Sequence, residues 1–320
     1  MKKTLLTLLL IPFLGIAQNQ FSFGFSGTTA AMIAAGWQVT NQSTPVYTGA
    51  PKWSIASYTA PTAATPFGGL TPNGQDGSLN SFALVNFTST GTSTTAGSGV
   101  ISNWLITPVI TVMNGDVVTF YTRIGKNTTP ADPNASYADR LQFRMSTTGA
   151  ASTNPTTGAT DLGSFTTLLA DVNPNLNLTD YPTSWATGLI TTTISGLSGP
   201  TAVKFSFRYF VTDGGAGGTN SDIIGIDTFS VNRPLSTADF FAQNFEIYPN
   251  PVTTTFDITS TNATAINNVK VIDINGRIVN DVNVAGLNNI QINVADLSSG
   301  IYFVKVLSNK GIGTSKIIKN

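Results

Sequence analysis

Apolar residues recur at every second position through much of this chain. Leu141, Phe143 and Met145 alternate with Arg140, Gln142 and Arg144, and Val203, Phe205, Phe207, Tyr209 and Val211 alternate with Lys204, Ser206, Arg208 and Phe210. Successive side chains of an extended strand point to opposite faces, so one apolar register with period two predicts half-buried strands whose polar face meets water. Val118, Phe120 and Ile124 mark a third such strand, and Phe229 and Val231 a fourth. Stretches such as "KNTTPADPNAS" (126–136) and "TDGGAGGTNSD" (212–222) are rich in Gly, Pro, Asn and Asp, which fix or relax φ and cap backbone groups, and so read as loops. Many short strands joined in this way predict an all-β, two-sheet sandwich over residues 18–234.

At 235–244 the segment "LSTADFFAQN" interrupts the alternation and reads as an exposed linker. A second set of strands follows over 245–320. Phe245 and Ile247 precede a Pro249-Asn250-Pro251 corner; Phe256 and Ile258 come next; Asn275-Gly276 between two apolar runs signals a hairpin; Ile290, Ile292 and Val294 alternate strictly. Two closing strands hinge at Asn309-Lys310-Gly311. About seven strands in so short a unit predict a smaller, immunoglobulin-like β-sandwich.

Composition narrows the chemistry. The chain has 320 residues with sixteen acidic and sixteen basic side chains, a balance without the basic footprint of a nucleic-acid-binding protein. It contains no cysteine and no histidine, which removes disulfides, histidine-ligated zinc, and Ser-His or Cys-His nucleophilic systems. A glycosidase needs only two carboxylates, so a hydrolase built on aspartates stays open as an alternative, although Glu246 is the sole glutamate. Residues 1–17 combine Lys2 and Lys3 with an apolar run that ends at small residues, the pattern of a signal peptide cleaved after Ala17. No later stretch is long and apolar enough to span a membrane as a helix.

Four tryptophans and a scatter of aspartates are the candidate site residues. Trp37 and Trp104 read as core. Trp53 and Trp185 sit in loop-like sequence from which an aromatic face could stack on a sugar ring. Asp213, Asp222 and Asp227, with Asp76 of "PNGQDGS", offer hard oxygen ligands suited to calcium, the one metal this composition favours.

Two family resemblances add to this reading. "AAGWQVTN" (34–41), "KWSIASY" (52–58), "SNWLITPVITV" (102–112), "VVTFYTR" (117–123), "DRLQFRMSTTG" (139–149) and "IGIDTFSV" (224–231) occur in the order of the choice-of-anchor J, or cleaved-adhesin, domain of Bacteroidota surface proteins. That resemblance implies a jelly-roll module for adhesion, with glycans or a host or matrix surface as partners, and no catalysis. Asn103 departs from the family's usual aspartate before Trp104.

"IYPNP" (247–251), "VIDINGRIV" (271–279), "VADLSSGIYFVKV" (294–306) and "KIIK" (316–319) resemble the type A C-terminal sorting domain of type IX secretion. The residues carrying this resemblance are Tyr248, Pro249, Asn250, Pro251, Asp273, Gly276, Arg277, Gly300, Tyr302, Lys316 and Lys319. It implies passage through the periplasm, recognition of the tail by the type IX machinery, and its removal by a sortase-like surface protease, often with attachment to lipopolysaccharide. The closing "GTSKIIKN" then reads as an edge strand open to strand addition, with exposed lysines around Ile317 and Ile318. A structural or binding sandwich that stays in place is the rival reading of the tail, and a structural surface or matrix component the rival reading of the whole.

Overall fold

The computed structural model describes residues 17–46, 49–56, 73–78, 81–91, 98–125 and 137–320. The signal segment up to residue 16 and the loop 126–136 lie outside these residues. Asn19–Asn232 and Arg233–Asn320 form two compact units.

In the first unit, the described residues make twelve strands: β1 (Ala17–Phe23), β2 (Gln38–Asn41), β3 (Ser54–Ile55), β4 (Ala83–Asn86), β5 (Gly99–Ile106), β6 (Ile110–Val112), β7 (Val117–Ile124), β8 (Leu141–Ser146), β9 (Thr167–Val172), β10 (Leu189–Thr193), β11 (Thr201–Gly214) and β12 (Ile223–Pro234). One sheet runs β10-β7-β12-β4-β3 with β1 on β12; the other runs β2-β5-β11-β8-β9 with β6 on β11. The chain passes repeatedly from one sheet to the other, as in a jelly roll. The alternating residues meet between the layers: Phe120 and Phe229 of one sheet pack on Phe143 and Phe207 of the other, with ring centroids 4.9–6.1 Å apart. Trp37 is buried among Phe21, Phe23, Phe25, Phe207 and Phe229.

The outward face of β8 and β11 is not wet, contrary to the expectation of half-buried strands. Gln142, Arg144, Ser206 and Arg208 are all buried, because the segment between β8 and β9 folds over them and lays Phe165 against Trp104. The Arg208 guanidinium lies 3.7 Å from the Phe210 ring centroid and 5.0 Å from that of Trp104, and donates to Ser102 Oγ, Gln142 Oε1 and the Ala159 carbonyl. Arg140, over the Phe210 ring at 5.3 Å, makes a two-pronged bond to Asp171 at 2.8 and 2.6 Å. Burial, and then the charges of Arg144 and Arg140, push Arg208 down to about 9.

The second unit opens on a helix instead of a linker. Ser236 caps Thr237–Asn244: its hydroxyl accepts from Asp239 N at 3.1 Å, and the helix carries Phe240 and Phe241 inward, 2 % and 5 % exposed. Both rings pack on Phe245, and a Cβ at Gly311 or Gly313 would come within 3.1 Å of one ring or the other. The expectation of an exposed connector at 235–244 is thus overturned, since the segment is part of a core. The strands β13 (Phe245–Tyr248), β14 (Thr255–Ser260) and β17 (Asn289–Asn293) form one sheet, and β15 (Ile266–Asp273), β16 (Ile278–Leu287), β18 (Gly300–Ser308) and β19 (Ile312–Lys319) the other, in the order β16-β15-β18-β19. Seven strands in a three-plus-four sandwich match the immunoglobulin-like expectation.

Candidate functional site

The second unit gathers the residues with the most specific sequence signals. Asn250, at the middle of the Pro-Asn-Pro corner, clamps the terminal strand: its Nδ2 donates to the Lys316 carbonyl at 3.0 Å, and its Oδ1 accepts from Ile318 N at 2.9 Å. Val252 N donates to the Ile318 carbonyl at 2.8 Å, and Asn320 N to the Val252 carbonyl at 2.9 Å. The outer edge of β19 at 316–320 is therefore already hydrogen-bonded, which closes it to the strand addition expected from its sequence. Tyr248 stands 78 % exposed beside this corner.

Lys316 and Lys319 do not flank a shared contact. Side chains two apart share a face, so Lys319 turns inward with Ile317 and is 8 % exposed, whereas Lys316 and Ile318 turn out. The two cations lie on opposite faces. At the hairpin, Asp273 Oδ1 accepts from Asn275 N and Arg277 N, and its Oδ2 from Arg277 Nε at 3.1 Å. Those amide bonds, the Arg277 amide first, hold Asp273 below the usual carboxylate range. Gly276 takes φ +82°, a left-handed conformation that completes the turn between β15 and β16. Gly300 opens β18, where Tyr302 tucks inward with its hydroxyl on the Ser298 carbonyl at 2.8 Å.

In the first unit the four calcium candidates stand in three places. Asp227 sits at a bulge in β12 and is buried, its Oδ2 accepting from Gln75 N at 2.5 Å; it feels the charge of Asp76, whose Oδ1 accepts from Ser78 N. Asp222 forms a wall of a 210 Å³ cleft with Phe87, Tyr137, Gly215, Ala216 and Gly218. Asp213 is held by Thr219 in its own exposed turn. Among the described residues, no three acidic side chains converge on a common point where a metal could sit.

The tryptophans sort differently from the expectation. Trp37 and Trp104 are buried, as read from the sequence. Trp53 is 1 % exposed, with its Nε1 on the Asn103 carbonyl at 3.1 Å, so it is a core residue and not a ligand platform. Trp185 is half-buried: Phe82 meets its ring edge-on, Arg123 lies 5.6 Å from its centroid, and its Nε1 donates to the Asn73 carbonyl. It seals Gly225, where an added Cβ would meet both Phe82 and Trp185. Asn103 explains its own presence, because its Nδ2 donates to the Pro51 carbonyl at 2.9 Å and to Ser89 Oγ at 3.0 Å. An aspartate there would set a carboxylate against that carbonyl without a donor between them.

Sequence reasoning passed over Asp139, which burial pushes up as it does Asp227. It is fully buried, accepts from the Tyr209 hydroxyl and from Asp222 N on Oδ1, and has no partner on Oδ2. The signal available was its position two residues before Leu141, in register with the inward side chains.

Residues 246–320 match the family of secretion system C-terminal sorting domains. The chain is exported by the type IX secretion system to the cell surface or the extracellular space. The clamp on β19, the Asp273 turn and the buried Tyr302 are thus parts of a sorting domain, and the capped helix Thr237–Asn244 packs into that domain's core. No helix among the described residues is long and apolar enough to cross a membrane. No curated protein matches the chain.

Solved structures similar to the chain include the K3 cleaved adhesin domain of Lys-gingipain from Porphyromonas gingivalis, at 14% identity and TM-score 0.36, covering 67% of this chain and 98% of that one. The adhesin domain of Epf from Streptococcus pyogenes follows at 10% identity and TM-score 0.29, over 94% and 97%. The CBM51-2 and INT domains of Clostridium perfringens ZmpB give 8% and 0.23, over 78% and 76%. Likenesses of this order say nothing about ligand or activity.

Two of the buried carboxyls of the first unit, Asp139 and Asp227, set a pH dependence. Burial, before any other cause, pushes Asp139 up to about 7 and Asp227 up to about 7. Between about pH 4, where a free aspartate ionises, and pH 7, the folded chain holds protons that the unfolded chain has released. Stability contributed by these groups is complete below pH 4 and is lost as pH rises to 7. Asp161, held down to about 2 by the amides of Thr156 and Gly163, does not oppose this in that window. The first unit should melt at higher temperature at pH 5 than at pH 7.5, and Asp139→Asn should flatten the difference. An equal or higher melting temperature at pH 7.5 in the parent chain would refute this assignment.

Proposed function

We propose that the chain is an exported, noncatalytic adhesion module of the choice-of-anchor J type, carried to the surface by a sorting domain that is then removed. The observation that carries this reading is the sorting-domain match over 246–320, together with a tail that has its own core. A catalytic role has little to work with: there is no histidine or cysteine, and the one partnerless carboxyl oxygen of Asp139 is sealed from solvent. The surface best suited to a glycan is the cleft beside Asp222, since Tyr137 is 45 % exposed and the Asp222 carboxylate makes no hydrogen bond among the described residues. An aromatic face with a free acceptor is the combination that sugars engage.

The export half is tested by fusing Arg233–Asn320 to an unrelated reporter that carries a signal peptide, in a bacterium with type IX secretion. Starting at Arg233 keeps the helix that the tail core requires. The reporter should reach the surface or medium, with processing at 233–236, where the chain is extended or exposed just before the helix. Retention in the periplasm would defeat the address reading. The adhesion half is tested on a glycan array with the exported chain, where Tyr137→Ala should abolish any signal while leaving the melting temperature unchanged; an unaffected signal moves the site elsewhere.

A further inference from the structure

The outward face of the β16-β15-β18-β19 sheet carries side chains that a solvated face does not need. Strand register places Ile278, Ile272, Phe303 and Lys316 in one row across all four strands, and Ile301 beside Ile318 in a second. Phe303 is 40 % exposed, and Ile301, Ile318 and Ile278 between 41 % and 48 %. A parallel row sets Asp281, Lys270, Lys305 and Thr314 side by side, with Lys270 Nζ 3.3 Å from Asp281. A 390 Å³ hollow that spans the lysine row is lined by Ile272, Ile278, Leu307 and Ile312 together with Lys270 and Lys305. The inner face of the same sheet is satisfied by its own core, so this apolar row serves no packing need of the fold.

We propose that this face is where the sorting domain docks on the export machinery, through a protein surface that presents apolar side chains set among Asp and Glu. The inference rests on reading the tail as an address. Charge selects the partner: Lys270, Lys305 and Lys316 face outward here against the single acid Asp281, leaving an excess of cations that an acidic surface would neutralise. Geometry favours protein over lipid. The apolar side chains lie flat along a sheet with lysines interleaved among them, whereas insertion into a bilayer requires apolar groups projecting beyond the charged ones. A central aromatic with flanking aliphatics is also the usual make-up of an interface hot spot, and Phe303 occupies that position.

The test uses the full chain in a bacterium with type IX secretion, comparing exported with periplasmic protein. Phe303→Ser with Lys305→Glu should cut export about tenfold, a factor worth about 1.4 kcal/mol of docking energy. Both side chains point outward, so the tail should keep its melting transition. Should the double variant fail to fold, Lys305→Glu alone gives the same reading at smaller amplitude. Gln291→Glu, on the exposed face of the other sheet, should export normally. Normal export of the folded face variants overturns the docking face while leaving the address intact, provided that deleting Arg233–Asn320 abolishes export. Normal export after that deletion overturns the address itself. Loss of binding to phosphatidylglycerol vesicles in the face variants with export unchanged would also overturn the proposal, in favour of a membrane contact.

Discussion

Removing residues 312–320 should unfold the sorting domain and leave the first unit folded. The strand β19 forms one edge of the four-stranded sheet and supplies fully buried Ile317. It also receives the clamp from Asn250 and Val252, and near its start Gly313 lies under Phe241. A large-to-small change at one buried aliphatic costs about 2–5 kcal/mol, and the whole strand exceeds the stability of a unit this size, about 5–15 kcal/mol at most. Calorimetry of the full chain should show transitions from both units, and the truncated chain should keep only that of Asn19–Asn232. A surviving tail transition would mean that β19 is an appendage. From the sequence alone, deleting 311–320 would leave the protein in the periplasm with a folded first unit and an uncleaved remnant of the tail. The closed edge implies instead that such a deletion cannot separate recognition from folding, and point changes on the outward face are needed for that purpose.

Arg208→Ala should cost about 3 kcal/mol, lowering the melting temperature of the first unit by roughly 6–12 °C. Arg208→Met should cost less than half as much. The contrast follows from which part of the guanidinium stabilises the fold. Burial and the neighbouring Arg144 and Arg140 depress Arg208 to about 9, so its charge is held at a cost and is not the source of stability. What it contributes is a flat body filling the slot between Trp104 and Phe210, and donors for Ser102, Gln142 and Ala159. Alanine empties the slot and orphans the Ala159 carbonyl; methionine refills it. Equal losses in the two variants would show that the hydrogen bonds, and not the packing, dominate.

Four strands of the first unit and the two tail hairpins at Asn275-Gly276 and Asn309-Gly311 were legible in the alternation of apolar residues and the turn signals between them, because each strand's side-chain period is a local property of the backbone. The turn at Asp273 to Arg277 was legible too, since Gly276 must take a left-handed φ whatever surrounds it. Even the inward turn of Lys319 was present in the spacing, as it shares parity with Ile317. Other features depended on residues far apart in sequence. The polar face of β8 and β11 reads as wet until a segment from beyond β8 covers it, bringing Ala159 to Arg208 and Phe165 to Trp104. Trp53 reads as a loop aromatic until Asn103, fifty residues on, accepts its indole N–H. Phe240 and Phe241 read as a break between units because a helix of eight residues is too short to show a clear period; only the glycines at 311 and 313 leave room for them. Alternation assigns each side chain to a face of its strand, but whether a face is covered is decided by long-range packing, which local periodicity does not encode.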